Sequence, residues 1–95
     1  MRLELSRRAQ ADLDAVRDYS LEQFGVLRAV AYLDAIEQAF RRILSFPDVG
    51  AVHPGPQPPI RALTCQQHRI FYTVDGKAIR IVRILHGAMD VERHL

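Results

Sequence analysis

Two β-rich runs dominate the last third of the chain, HRIFYTV ending at Val74 and KAIRIVRILH beginning at Lys77, and only Asp75-Gly76 separates them. A two-residue Asp-Gly loop between such runs is the strongest short-range hairpin signal, because a type I′ turn needs positive φ at both central residues and matches the strands' twist. With Asp75 and Gly76 as the central pair, Val74 faces Lys77, Tyr72 faces Ile79, Ile70 faces Ile81 and His68 faces Arg83. Thr73 then faces Ala78, Phe71 faces Arg80 and Arg69 faces Val82. Opposite residues share a face, so one face reads Ile70, Tyr72, Val74, Ile79, Ile81 and Leu85. The other reads Arg69, Phe71, Arg80, Val82, Ile84 and His86. The first is a core face, and the second is apolar with two arginines and a histidine set into it.

The N-terminal half has a different period. Leu3 and Leu5 alternate with Arg2 and Glu4 as in a short half-buried strand, and Ser6 follows as a suitable helix N-cap. Ala9, Leu13, Val16, Ser20 and Phe24 recur at helical spacing until Gly25, a C′ glycine. A second stripe, Ala29, Leu33, Ile36, Phe40 and Ile43, predicts another helix that Pro47 ends, with Glu37 and Arg41 placed to pair at i, i+4. The two helices make a hairpin. All five prolines lie between residues 47 and 59, so DVGAVHPGPQPP reads as a stiff extended connection, neither helix nor central strand. IRALT follows as a short strand and CQQ as its turn. The order is β-α-α-β-β-β, an α+β fold with the helical hairpin packed on one face of a small, mostly antiparallel four-stranded sheet.

Ninety-five residues make a single domain, 1–95, that buries about 60 to 65% of its unfolded surface and holds a core without staples. The composition, 48% hydrophobic and 25% charged, gives no support to disorder. No apolar run reaches the roughly 18 to 20 residues of a membrane span, MRLELSRR lacks the apolar stretch of a secretory signal, and the lone Cys65 excludes an internal disulfide. A cytoplasmic protein is expected. The net charge of +2 hides an asymmetry: residues 1–50 sum to −1 and residues 51–95 to +3. That falls far short of a dedicated nucleic-acid footprint. Twelve of the thirteen basic residues are Arg, which favours planar bidentate contacts to carboxylate or phosphate and equally suits a GC-rich genome.

Helices with one apolar stripe cover one sheet face, and the face of Ile70, Tyr72, Ile79 and Ile81 is their partner. No element remains for the other face. Its Phe71, Val82 and Ile84 therefore predict an exposed, partly apolar binding surface, with Arg69 and Arg80 as diagonal neighbours about 7 to 8 Å apart. The plainer reading of those arginines is a half-solvated face, paired with Asp90 or Glu92. His86 ends a strand and is as readily hydrogen-bonded scaffolding as a functional group. Met89 reads as packing or as part of a target-facing tail, and Asp90 as a cap of a C-terminal turn. The outer groove of the helical hairpin is a further place where a partner helix would lie.

The pieces LSRRAQADLDAVRDYSLEQFG, the FP-x-x-G of Phe46, Pro47 and Gly50, IRAL around Arg61, HRIFY around Arg69 and the ending ILH-x-x-MD-x-x-x-HL, in that order, resemble the ParE branch of the RelE/ParE superfamily of type II toxins. The resemblance implies a cytoplasmic toxin paired with a ParD-like antitoxin that carries a ribbon-helix-helix DNA-binding part and wraps the toxin. DNA gyrase is then the target, operator DNA is reached only through the antitoxin, and neither membrane, metal nor cofactor is involved. His86, Asp90 and His94, which would share a stripe on a helix, and Cys65-x-x-His68 are accordingly not read as a metal site. RelE-like members cut mRNA on the ribosome, which needs a base, an acid and cations together. Their pattern puts lysines on the strand before HRIFY and an Arg with a Tyr near the C-terminus. Here that strand has only Arg61, Met89 follows ILHGA, and no Tyr follows Tyr72. An endoribonuclease built on Arg61, Arg69 and His86 is the alternative, and an antitoxin-binding relic without toxicity is the third reading. For the binding protein, the surface expected to meet antitoxin or target is Arg61, Arg69, Phe71, Arg80, Val82, Ile84, His86, Met89 and Asp90, with no catalytic residue.

Overall fold

The computed structural model of the chain describes residues 1–54 and 59–95; the proline-rich stretch read as extended at 55–58 lies outside the described residues. Strand β1 (Arg2–Leu5) leads into α1 (Arg7–Phe24) through Ser6. Extended at φ −64°, ψ 163°, Ser6 accepts from the Ala9 N–H at 3.0 Å, and its own hydroxyl donates to the Val82 carbonyl at 2.8 Å. One side chain thus caps the helix and ties its start to the sheet. Gly25, at φ +84°, is the sole residue between α1 and α2 (Val26–Ser45), so the reversal is made where a side chain would be strained.

Four more strands follow, β2 (Ala51–His53), β3 (Ile60–Cys65), β4 (His68–Asp75) and β5 (Ala78–His86), then a single helical turn, α3 (Val91–His94). The sheet has five strands in the order β1-β5-β4-β3-β2, with β1 parallel to β5 and every other pair antiparallel. The expected sheet was one strand short. Proline is excluded from central strands but not from the ends of an edge strand, and β2 is a three-residue edge.

The hairpin register differs from the expected one in two steps. Asp75 pairs with Ala78, so the two-residue loop is Gly76-Lys77, and Val74, Thr73 and Tyr72 face Ile79, Arg80 and Ile81. Only Gly76 has positive φ, +51°, the pattern of a type II′ turn with glycine first rather than a type I′ turn. This shift moves each partner by two residues and leaves the faces unchanged. The second step does not. A β-bulge between Tyr72 and Phe71 leaves Val82 as the extra residue, so that Phe71 faces Arg83, Ile70 faces Ile84, Arg69 faces Leu85 and His68 faces His86. From Arg83 onward the strand has exchanged faces. Ile84 and His86 lie on the helix side, not beside Phe71, and Leu85 takes the opposite side.

The main core lies under the helices and gathers Ala9, Val16, Ile36 and Ile43 against Ile70, Tyr72, Ile79, Ile81 and Ile84. On the other face Ile60, Phe71 and Leu85 form a second small core, with Ala62 and Val91 packed against it. Phe71 is fully buried, which corrects the expectation of an open face: α3 covers it through Val91. Tyr72 explains the Phe46-Pro47-x-x-Gly50 motif. Its buried hydroxyl donates to the Pro47 carbonyl at 2.7 Å and accepts from the Gly50 N–H at 2.8 Å, and a Cβ on Gly50 would stand 2.7 Å from that oxygen.

Candidate functional site: a groove between the helical hairpin and the end of β4 and β5

Beyond Leu5 the sheet has no β1 to protect β5, and α1 takes its place. The Asp12 carboxylate accepts the Ile84 backbone N–H at 2.9 Å and the Arg83 guanidinium through Nε at 2.7 Å and a terminal nitrogen at 2.8 Å. Both side chains are largely desolvated, at 10% and 15% accessible. The hydrogen bond to Asp12 pushes the Arg83 pKa up against burial. The other terminal nitrogen of Arg83 donates to the His94 carbonyl at 2.9 Å, and Arg8 reaches the same oxygen at 3.3 Å. One ion pair therefore closes a bare strand edge and anchors α3 over the second core.

Next to this anchor lies a groove of ≈ 720 Å³ between α1, α2 and the end of the hairpin, its walls mostly apolar. Tyr19 and Phe24 from α1 form one rim, at 61% and 54% accessible, and their rings meet edge to face at 6.3 Å. Phe24 was expected on the buried stripe of α1; as the last residue of the helix before Gly25 it is exposed instead. Arg28 lies over the Phe24 ring at 5.8 Å, and among the described residues no carboxylate pairs with it. Val26, Leu27 and Val30 continue the exposed apolar surface around the helical turn.

The groove's polar wall is built by cross-strand pairing. His68 and His86 are register partners, and their rings stand edge to face 5.3 Å apart. Tyr32 from α2 completes the set: its hydroxyl is 2.6 Å from His68 Nδ1 and accepts the Gln67 N–H at 3.1 Å. The Ala88 N–H donates to His86 Nδ1 at 3.1 Å. Burial pulls the His68 pKa below its ordinary value, helped by neighbouring His86 and opposed by Asp12; burial also raises the Tyr32 hydroxyl and the Cys65 thiol. Among the described residues no three His, Cys, Asp or Glu side chains gather as a metal-holding group. No helix there is long and apolar enough to cross a membrane.

The residues expected to form one binding surface are dispersed. Only Ile84, His86 and Met89 share the groove. Arg61 lies at the other end of the helix side, donating to the Gly50 carbonyl at 2.8 Å and the Asp48 carbonyl at 3.2 Å, with the Asp48 carboxylate at 3.4 Å. Arg69 is on the far face with its guanidinium 5.1 Å from the centre of the Phe71 ring. Arg80 faces Thr73, four residues from Arg69 along β4, so the two arginines are about 13 Å apart and not diagonal neighbours. Val82 is the bulge residue, and Asp90 stands at the N-cap of α3 without a side-chain capping bond.

The sequence reading did not single out Tyr32, His68, Tyr19, Phe24 or Arg28 for the groove. The signal was present: Tyr19, Phe24, Val26, Leu27 and Val30 exceed what one buried stripe needs.

Comparison with known proteins places this geometry. The family described as "ParE toxin of type II toxin-antitoxin system, parDE" matches residues 3–91. Toxin ParE1 of Mycobacterium tuberculosis H37Rv is 37% identical over 92 residues, covering 96% of this chain and 94% of its own. Toxin ParE1 of Caulobacter vibrioides is 34% identical over 91 residues with the same coverage. Among solved structures, a chain of the chromosomal ParDE TA system from P. aeruginosa superposes with a TM-score of 0.76 at 31% identity, covering 90% of this chain and 95% of that one.

Proposed function

The chain belongs to the ParE toxin family of type II toxin–antitoxin systems, and from that premise we propose that it acts in the cytoplasm by binding DNA gyrase and is neutralised by a ParD-like antitoxin. The observation that carries the antitoxin half is the groove, a preformed apolar channel rimmed by exposed Tyr19 and Phe24. A cleft of this size with a few polar groups suits an amphipathic segment laid in with its apolar face down. The antitoxin supplies that segment, and operator DNA is met only through it.

The gyrase half follows from the family resemblance, and a binding mode is favoured by the dispersal of the cationic side chains. Cleaving RNA needs base, acid and cation around one phosphate. Arg61 and His86 lie opposite Tyr72 and His68, four residues apart on β4 and on its two opposite sides, hence about 16 Å from each other, and Arg69 is on the other face. The test is a supercoiling assay with purified gyrase, alongside translation of a reporter mRNA. Loss of supercoiling with intact mRNA is expected; intact supercoiling at excess toxin with cut mRNA overturns the reading. Expression of the chain alone slows growth, and co-expression of a ParD-like antitoxin restores growth.

A further inference from the structure

His68 and His86 have fixed proton positions, and these decide what the groove recognises. The Ala88 backbone N–H can only donate, so His86 Nδ1 carries a lone pair. Tyr32 accepts the Gln67 N–H with one lone pair, and its own proton has no acceptor among the described residues other than His68 Nδ1, 2.6 Å away, which assigns the proton to that contact. Both neutral rings are therefore Nε2–H tautomers. Among the described residues every buried side-chain nitrogen or oxygen has a hydrogen-bond partner. His68 Nε2 has none among the described residues, so it reaches the open groove, and His86 is exposed there as well.

We propose that this pair of imidazole N–H groups, with Arg28 on the rim of the same groove, recognises a carboxylate side chain of the antitoxin segment. The proposal deepens the antitoxin reading above and rests on it. Charge decides the class of partner group. The groove's own carboxylate, Asp12, is consumed by Arg83 and the Ile84 N–H, while Arg28 has no acidic partner among the described residues. Two donors and an uncompensated guanidinium call for an anionic acceptor. A metal ion is disfavoured at this pair, because the nitrogens that carry free lone pairs are already engaged and the remaining ones carry protons.

Such a contact is proton-linked. The groups facing the pair are Tyr32 from α2, Asp12 from α1, Cys65 at the end of β3 and Arg28 at the rim; the two imidazoles also face each other. A carboxylate seated on the Nε2–H groups stabilises the imidazolium form of His68 and raises its pKa in the complex; the added proton sits on Nδ1, where the Tyr32 hydroxyl turns to accept it, whereas on His86 that place is held by the Ala88 N–H. Binding then takes up a proton, so affinity rises as pH falls through the raised pKa, and levels off below the free-state pKa.

The experiment uses the full chain and, as probe, a ParD-like antitoxin that neutralises it. The dissociation constant is measured at constant ionic strength from about pH 8 to about pH 6, where one unit of histidine shift is read as about tenfold tighter binding at the acid end. The double variant H68Q/H86Q, checked for folding by circular dichroism, flattens that dependence. One Glu→Gln or Asp→Asn change in the antitoxin segment flattens it too. Long-range proton–nitrogen spectra of the free chain show both rings protonated at Nε2 near neutral pH. A complex whose affinity ignores pH, or keeps its pH dependence in H68Q/H86Q, overturns the carboxylate proposal and leaves the antitoxin reading intact. Spectra showing a proton on Nδ1 of either ring do the same. Absence of any complex overturns both.

Discussion

Removing the Asp12 carboxylate tests whether one ion pair holds the edge of β5 and the C-terminal turn. In Asp12→Ala, Arg83 loses two charge-assisted bonds of 2.7 and 2.8 Å, and the Ile84 N–H loses its acceptor at 2.9 Å. With both partners at or below 15% accessibility, this is a buried pair, and removing one member leaves the guanidinium uncompensated, at a cost of about 3 to 5 kcal/mol. The single bonds, at about 1.5 to 3 kcal/mol each, do not simply add, because desolvation is shared among them. A domain of this length has roughly 5 to 14 kcal/mol in all, so the variant sits close to its unfolding threshold, with a melting temperature lower by roughly 15 to 30 °C. Asp12→Asn keeps one acceptor oxygen without the charge and falls between, near ~2 kcal/mol. Adding Arg83→Leu to Asp12→Ala recovers part of the loss, since no charge is then left buried. It does not recover all, because the Arg83 bond to the His94 carbonyl at 2.9 Å goes with it. Urea denaturation of the wild type, Asp12→Ala, Asp12→Asn, Arg83→Leu and the double variant decides the matter. A cost below about 1 kcal/mol for Asp12→Ala, the worth of an exposed pair, or a double variant as unstable as the sum of the singles, refutes the reasoning.

Tyr72→Phe strands the Gly50 N–H and the Pro47 carbonyl and lowers stability by about 2 to 3 kcal/mol in urea titrations; Gly50→Ala, which must displace the same hydroxyl, is destabilised as well. His68 has a folded-state pKa below its unfolded value because it is buried. Its contribution is therefore fully present above the unfolded value of about 6.5 and is lost as pH falls toward the folded value. Denaturation midpoints of the wild type decline across that window, and those of His68→Gln decline less. Phe24→Glu, on the exposed rim of the groove, leaves the melting temperature within a few degrees of wild type and weakens antitoxin binding by about 2 kcal/mol or more, the scale of an interface anchor; calorimetry reads both.

The punctuation of the fold was legible because each mark is a local event. Ser6 caps where a strand becomes a helix, Gly25 supplies the positive φ that lets one helix follow another after a single residue, and Pro47 ends α2. Glu37 and Arg41 pair at 3.0 Å as their spacing requires. Edge strand β2 was hidden because three residues between prolines and glycines carry no period. A C-terminal turn was readable at Asp90, but a four-residue helix has no stripe to show which face it covers, and without that Phe71 had to look exposed.

The bulge at Val82 was the costliest omission, and it is also what makes the groove. Strict alternation along Ile79-Arg80-Ile81-Val82-Arg83-Ile84-Leu85-His86 would send Arg83 into the core beside Ile81 and turn Ile84 outward. One extra residue removes that conflict. It lets Ile84 enter the main core and Leu85 the second one, and it swings Arg83 to the strand edge where Asp12 meets it. Both consecutive apolar residues are buried, so the segment keeps no period from which a register could be read. The same step carries His86 from the side of Arg69 to the side of His68, where Tyr32 waits. The paired imidazoles of the groove are thus a product of the bulge, and the bulge is in turn forced by an arginine that a regular strand would have buried unpaired.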